Sequence, residues 1–158
     1  MLWSGYLDSP FPSARLQLAF SGVLVLNPSA GRLADKSGPS MILIVEDNPN
    51  ARQLFAQILS SAGHEVIESA DGGHALHLLD VYQFDLVITD LALPHTTGFG
   101  IISHIRRKWP RLPIILVTGY LSPHVRKTIL DDFVEFIPKP VDRDRLVATV
   151  NRLVPIGR

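Results

Sequence analysis

Residues 41–63 read MILIVEDNPNARQLFAQILSSAG. The stretch opens with an apolar run, Met41 to Val45, and turns acidic at once with Glu46 and Asp47. A short and uniformly apolar run suits a strand buried on both faces, as in a parallel sheet. Asn48 can cap a helix, and Pro49 fits the first helical position, where no amide partner is needed. Ala51, Leu54, Phe55, Ile58, Leu59 and Ala62 then recur at helical spacing, and Gly63 ends the run.

The same alternation continues toward the C-terminus. A second strand spans Glu65 to Glu68, and Asp71 caps a helix through Leu79. A third strand, Leu86 to Thr89, ends at Asp90. A loop with Pro94, Gly98 and Gly100 follows. Ile101, Ile102, Ile105 and Trp109 line the next helix, which Pro110 terminates. Gly100 in its first turn predicts a late or frayed start, because glycine is a poor helix former. A fourth strand, Ile114 to Val117, ends at Thr118. Ser122 and Pro123 open a fourth helix with Val125 and Ile129 inward. A fifth strand spans Val134 to Ile137, and Lys139 stands between Pro138 and Pro140. Asp142 caps the last helix, whose inner face carries Leu146, Val147, Val150, Leu153 and Val154. Repeated strand–helix units predict an α/β fold: a parallel sheet covered by helices on both faces.

Open parallel sheets bind ligands at the carboxyl ends of their strands. The residues there are Glu46 and Asp47, Asp90, Thr118 and Lys139. Carboxylates gathered at one place repel each other unless they share a cation. With oxygen donors and no Cys or His among them, the set favours a hard ion such as Mg²⁺. One carboxylate can also attack phosphorus and form an acyl phosphate. Asp90, alone at the tip of a central strand, is the candidate nucleophile. Glu46 and Asp47 read as metal anchors, Thr118 as a hydrogen-bond donor and Lys139 as a charge partner for phosphoryl oxygens. Taken singly, each of these residues has a plainer reading as a turn former, helix cap or surface charge. The joint pattern at consecutive strand ends favours the site.

The motifs ILIVEDN with Glu46–Asp47, DLVITDLALP with Asp90 and Pro94, IILVTGY with Thr118 and FIPKP with Lys139 are similar to those of the response-regulator receiver domain. The resemblance runs from Met41 to about Val154, so 41–158 is the expected domain. It implies a flavodoxin-like, doubly wound five-stranded parallel sheet of order 2-1-3-4-5. It implies that Asp90 accepts a phosphoryl group from a histidine kinase or a histidine phosphotransfer protein. It also implies that Glu46, Asp47, Asp90 and the backbone carbonyl of Ala92 hold Mg²⁺, and that Thr118 and Lys139 contact the phosphoryl group. Phe136 would rotate between exposed and buried states, although a strand aromatic is more often simply half-buried. The Lys139–Pro140 bond is expected to be cis, at the modest cost of an X-Pro bond. The implied readout surface is helix 4, strand 5 and helix 5, Ser122 to Val154, which would meet an unknown downstream protein or form a weak homodimer. On this reading the chain is a switch, not an enzyme, apart from self-catalysed phosphoryl transfer and slow autodephosphorylation. Its phosphodonors place it in the cytoplasm. The sequence departs from the commonest pattern in Glu46, where Asp is more frequent, in Leu93, where Met is usual, and in Gly100. The resemblance also implies that Ala92 and Tyr120 occupy positions that flank the phosphoryl group and tune its lifetime.

The composition fits. The chain has 158 residues, is 46% hydrophobic, carries 15 basic and 15 acidic residues and contains no cysteine. That supports a packed core and excludes a disulfide scaffold, a thiolate metal site and a cysteine nucleophile. Zero net charge argues against direct nucleic-acid binding. No apolar run reaches the roughly 18 residues of a membrane span. Residues 1–40 hold Pro10, Pro12, Pro28, Pro39 and one apolar run, Leu16 to Leu26. That run is a poor secretory signal and reads as part of a flexible extension, with Met41 as the natural start. Only Pro155 to Arg158 follow Val154, so no effector domain is expected. His74 and His77 could meet a metal but lack a third ligand, and Arg106–Lys108 reads as a helix end complementing its dipole. No Walker motif, GxGxxG or nucleophile elbow is present. Two rivals remain. A receiver-like interaction module that is not phosphorylated would keep the fold. A Mg²⁺-dependent phosphatase of the haloacid dehalogenase type would need its nucleophile first in the chain and a second Asp two residues on, where Ala92 stands.

Overall fold

Five strands form one parallel sheet: β1 (Met41–Val45), β2 (Glu65–Ser69), β3 (Leu86–Asp90), β4 (Ile114–Thr118) and β5 (Val134–Pro138). Their order across the sheet is 2-1-3-4-5. The computed structural model describes residues 16–18, 24–26, 38–119, 122, 123, 127, 129 and 132–154. The expected fourth helix and Tyr120 lie for the most part outside these residues; Ile129, which the helix was to turn inward, is buried.

The register aligns the strand ends. Ile42 pairs with Val66 on one side and Leu86 on the other, Ile88 with Ile115, and Leu116 with Phe136. Successive strand residues point to opposite faces, so a run that is apolar throughout feeds two cores at once. Met41, Leu43, Val45, Val87, Ile114 and Leu116 pack against α2 (Gly72–Val81) and α3 (Gly98–Lys108). Ile42, Ile44, Leu86, Ile88, Ile115 and Val117 pack against α1 (Pro49–Ser61) and the C-terminal helix (Arg143–Leu153). Each fully buried aliphatic side chain contributes about 1.5–3 kcal/mol. The sheet is therefore the rigid frame on which the strand-end residues stand.

Helix starts follow the expected caps. The Asn48 side chain accepts from the amides of Asn50 and Ala51, Asp71 from His74, and Asp142 from Arg145. Two expectations need correction. Leu54 is 50% exposed, while Phe55, Ala56, Ile58 and Leu59 form the buried stripe of α1. At about 100° per residue, Leu54 falls off that stripe. The third helix also does not start late: it begins at Gly98, with Thr97 as its cap. The Thr97 hydroxyl accepts from the Gly100 amide, and the Gly98 amide donates to the Leu91 carbonyl. These bonds offset the poor propensity of Gly100.

Within the apolar run of the first forty residues, Leu16–Leu18 and Leu24–Leu26 pair antiparallel as a separate two-stranded sheet. No helix among the described residues is long and apolar enough to cross a membrane.

Candidate functional site

The strand ends bring the expected groups together. Where β1 ends, the Glu46 amide donates to the Ser69 carbonyl at 3.1 Å and extends the β1–β2 ladder by one step. This turns the Glu46 side chain inward, where it is 1% exposed. Its Oε1 accepts from the Asn48 amide at 3.2 Å. Asp47, next in the chain, is exposed. Asp90 closes β3 and is 7% exposed. Its Oδ1 accepts from the Ala92 amide at 3.0 Å.

Lys139 reaches this cluster from β5. Its amide donates to the Thr118 carbonyl at 2.9 Å, which carries the β4–β5 ladder past Pro138. The Lys139–Pro140 bond is cis. The ammonium Nζ donates to Glu46 Oε2 at 2.7 Å and to Asp90 Oδ2 at 2.6 Å. Burial pulls this ammonium down, yet hydrogen bonds to Asp90 and Glu46, with their charges, outweigh it and hold Lys139 above the ordinary lysine value. Thr118 is buried at the end of β4. Phe136 on β5 is half-buried and packs against the core shared with α2 and α3.

Glu46, Asp47 and Asp90 each offer a carboxylate oxygen within 4.8 Å of the others. Three oxygen donors at that separation suit a divalent cation with a preference for oxygen and retained water. A single ammonium offsets only part of their charge, so the site fits Mg²⁺.

The loop after β3 is held by close approach. A Cβ at Gly98 would lie 2.5 Å from the Asp90 carbonyl oxygen and 2.9 Å from the Leu91 Cα. Glycine there lets α3 start directly against the backbone of Asp90. Sequence reasoning noted Gly98 only as a loop residue and missed Arg52 altogether. Arg52 sits on α1, not at a strand end, and donates through Nη1 to the Glu46 carbonyl at 2.7 Å. Its position one helical turn beyond the Asn48 cap was the available signal. His74 and His77 are both exposed; His74 Nδ1 lies 3.1 Å from the Ser69 hydroxyl. Among the described residues neither joins a cluster with metal-binding geometry. In the basic run, Arg106 donates to the Leu112 carbonyl and Lys108 pairs with Asp80, as a structural reading requires.

The sheet order and this acidic pocket define a receiver-type signalling module. The chain matches the response regulator receiver domain model over residues 42–151 and belongs to that family. Members of the family are signalling switches that bind Mg²⁺ at an acidic pocket and interact with histidine kinases or phosphotransfer proteins. Transcriptional regulatory protein TcrA of Mycobacterium tuberculosis is 32% identical over 124 residues, 78% of this chain and 49% of TcrA. Sensor histidine kinase RcsC of Salmonella typhi is 31% identical over 124 residues, 78% of this chain and 13% of RcsC. The chain thus spans about half or less of these two relatives. The crystal structure of response regulator TrrA from Thermotoga maritima, in complex with Mg(2+)-BeF, is similar at a TM-score of 0.64 and 32% identity. The match covers 72% of this chain and 98% of that one.

Proposed function

We propose that this chain is the phosphoacceptor of a two-component relay, and that Asp90 takes the phosphoryl group. The observation that supports it most is the pose of Asp90. The carboxylate is buried, one oxygen receives the Ala92 amide and the other receives Lys139, which also binds Glu46. An Asp90 oxygen attacks the phosphorus of a phosphohistidine, the P–N bond breaks, and the released imidazole takes up a proton. The product is an aspartyl phosphate on Asp90. Glu46, Asp47, Asp90 and the Ala92 carbonyl would hold Mg²⁺, which when bound neutralises charge on the phosphoryl oxygens.

A phosphoryl group adds roughly −1.5 to −2 charge. Lys139 is already in place to pair with it, and the Thr118 hydroxyl is its other local partner. Drawing Thr118 inward would leave room for the Phe136 ring and alter the surface from Ser122 to Val154. That surface would meet the downstream protein or a second copy of the chain. The donor is a cytoplasmic histidine kinase or phosphotransfer protein, which places the chain in the cytoplasm.

The test is intact-mass spectrometry of the full chain with a small acyl-phosphate donor, with and without Mg²⁺, beside Asp90→Asn. One Mg²⁺-dependent phosphoryl adduct, absent in the variant, is the expected result. No adduct under any condition would leave the reading as an unphosphorylated interaction module.

A further inference from the structure

Asp47 differs from its two partner carboxylates. Glu46 and Asp90 are buried and fixed by Lys139 and by backbone amides. Asp47 is exposed, and among the described residues its carboxylate makes no hydrogen bond or ion pair. Its direction therefore depends on the backbone between β1 and α1. Past the Glu46 amide that backbone leaves the β-ladder, so the carbonyls of residues 46 and 47 take partners from outside it.

Arg52 supplies them. Its Nη1 lies 2.7 Å from the Glu46 carbonyl oxygen and 3.5 Å from that of Asp47. Its Nε lies 3.5 Å from Glu68 Oε2 on β2. The Arg52 side chain is only 20% exposed, so the guanidinium is sheltered by the elements it joins. One planar group thus ties the loop to α1, on which Arg52 rides, and to β2 through Glu68. A guanidinium suits this task because its donors are arranged in a rigid fork, whereas an ammonium is a single point.

We propose that Arg52 is a positioning residue for the divalent-cation site. It sets the carboxylate of Asp47 by clamping the carbonyls of Glu46 and Asp47, with Glu68 fixing the clamp. This rests on the reading that Glu46, Asp47 and Asp90 hold Mg²⁺.

Groups that orient metal ligands typically change affinity by about 10–100-fold when removed. Because the clamp acts through backbone, the low end applies. The experiment is a Mg²⁺ titration of the full chain by isothermal calorimetry, on wild type, Arg52→Ala, Arg52→Lys and Glu68→Gln. Melting temperatures in metal-free buffer are measured alongside. Arg52→Ala should bind Mg²⁺ about tenfold more weakly. Glu68→Gln should fall between it and wild type, and Arg52→Lys should recover only part of the loss. A purely structural Arg52 would lower the melting temperature and leave the Mg²⁺ affinity of the folded protein within about twofold of wild type, which overturns the proposal. Failure of the wild type itself to bind Mg²⁺ would overturn the cation-site reading, and the Arg52 proposal with it.

Discussion

Lys139 holds two buried carboxylates with one ammonium. Replacing it with Met leaves Glu46 and Asp90 facing each other without a cation. Hydrogen bonds to charged groups contribute about 1.5–3 kcal/mol each, and partial exposure of Lys139 lowers what is lost. Lys139→Met should therefore cost about 1–3 kcal/mol in metal-free buffer, and saturating Mg²⁺ should recover part of it. Urea unfolding with and without Mg²⁺ checks both halves. Gly98 is the other decisive single residue. Gly98→Ala pushes a methyl into the backbone of Asp90 and Leu91, and overpacking of this kind costs about 1–3 kcal/mol. On the proposed phosphoacceptor role, acyl-phosphate labelling of Asp90 should also slow in this variant, since the Asp90 backbone must shift. The residues at strand ends were legible in the sequence because the direction of a parallel sheet gathers them at one edge. Arg52 was far less so, because its contact is made by a side chain folding back from a helix onto main-chain oxygens, and only its place one helical turn beyond the Asn48 cap hints at it.

Helices here begin where a side chain satisfies their free amides. Asn48→Ala removes the acceptor for two amides of α1 and should cost about 1 kcal/mol. Thermal unfolding measures it. The start of α3 was misjudged from propensity alone, since the Thr97 cap and the tight seat of Gly98 outweigh a second glycine. Leu54 shows the converse limit. Helical spacing names candidate positions, while the width of the contact with the sheet decides which are covered. One link between elements left no trace in the pattern at all. His64, just after α1, is buried, and its Nε2 lies 3.3 Å from Asn151 Oδ1 on the C-terminal helix. Among the described residues its Nδ1 has no hydrogen-bond partner. Burial pushes the imidazole below its ordinary 6.5, against the raising effects of the Asn151 hydrogen bond and the Asp85 charge. As the pH falls below that value, the unfolded chain takes up this proton before the folded one. Stability then declines until the lower folded-state value is passed, by at most about 1.4 kcal/mol per pH unit for one proton. His64→Phe should lose this part of the acid dependence, read from denaturant midpoints between about pH 8 and pH 5.

Among the described residues, the five-stranded sheet and both cores draw on residues from Met41 onward. A fragment starting at Met41 loses the Ser40 carbonyl, which accepts from the Glu65 amide at 2.9 Å. It keeps the contact between the Met41 nitrogen and Asp85 Oδ2 at 2.7 Å, now as a charged amine on a carboxylate. The lost bond is worth about 1 kcal/mol and the added charge offsets some of it. We therefore propose that residues 41–158 fold alone, with stability within about 1 kcal/mol of the full chain by urea unfolding; a larger deficit would give residues 1–40 a structural role. The α/β class was legible because apolar runs and helical periods alternate so regularly. Strand order was not, since nothing in a strand's own residues names its neighbours; it came through the family resemblance. The aligned register has a practical side as well. Every strand runs the same way, so the polypeptide enters β1 at the edge opposite the carboxylates, and a five-residue parallel strand is about 16 Å long. A dye or a bead tether attached at Gly38 or Pro39, both exposed, would thus stand about a strand length from Asp90, leaving the mouth of the pocket clear.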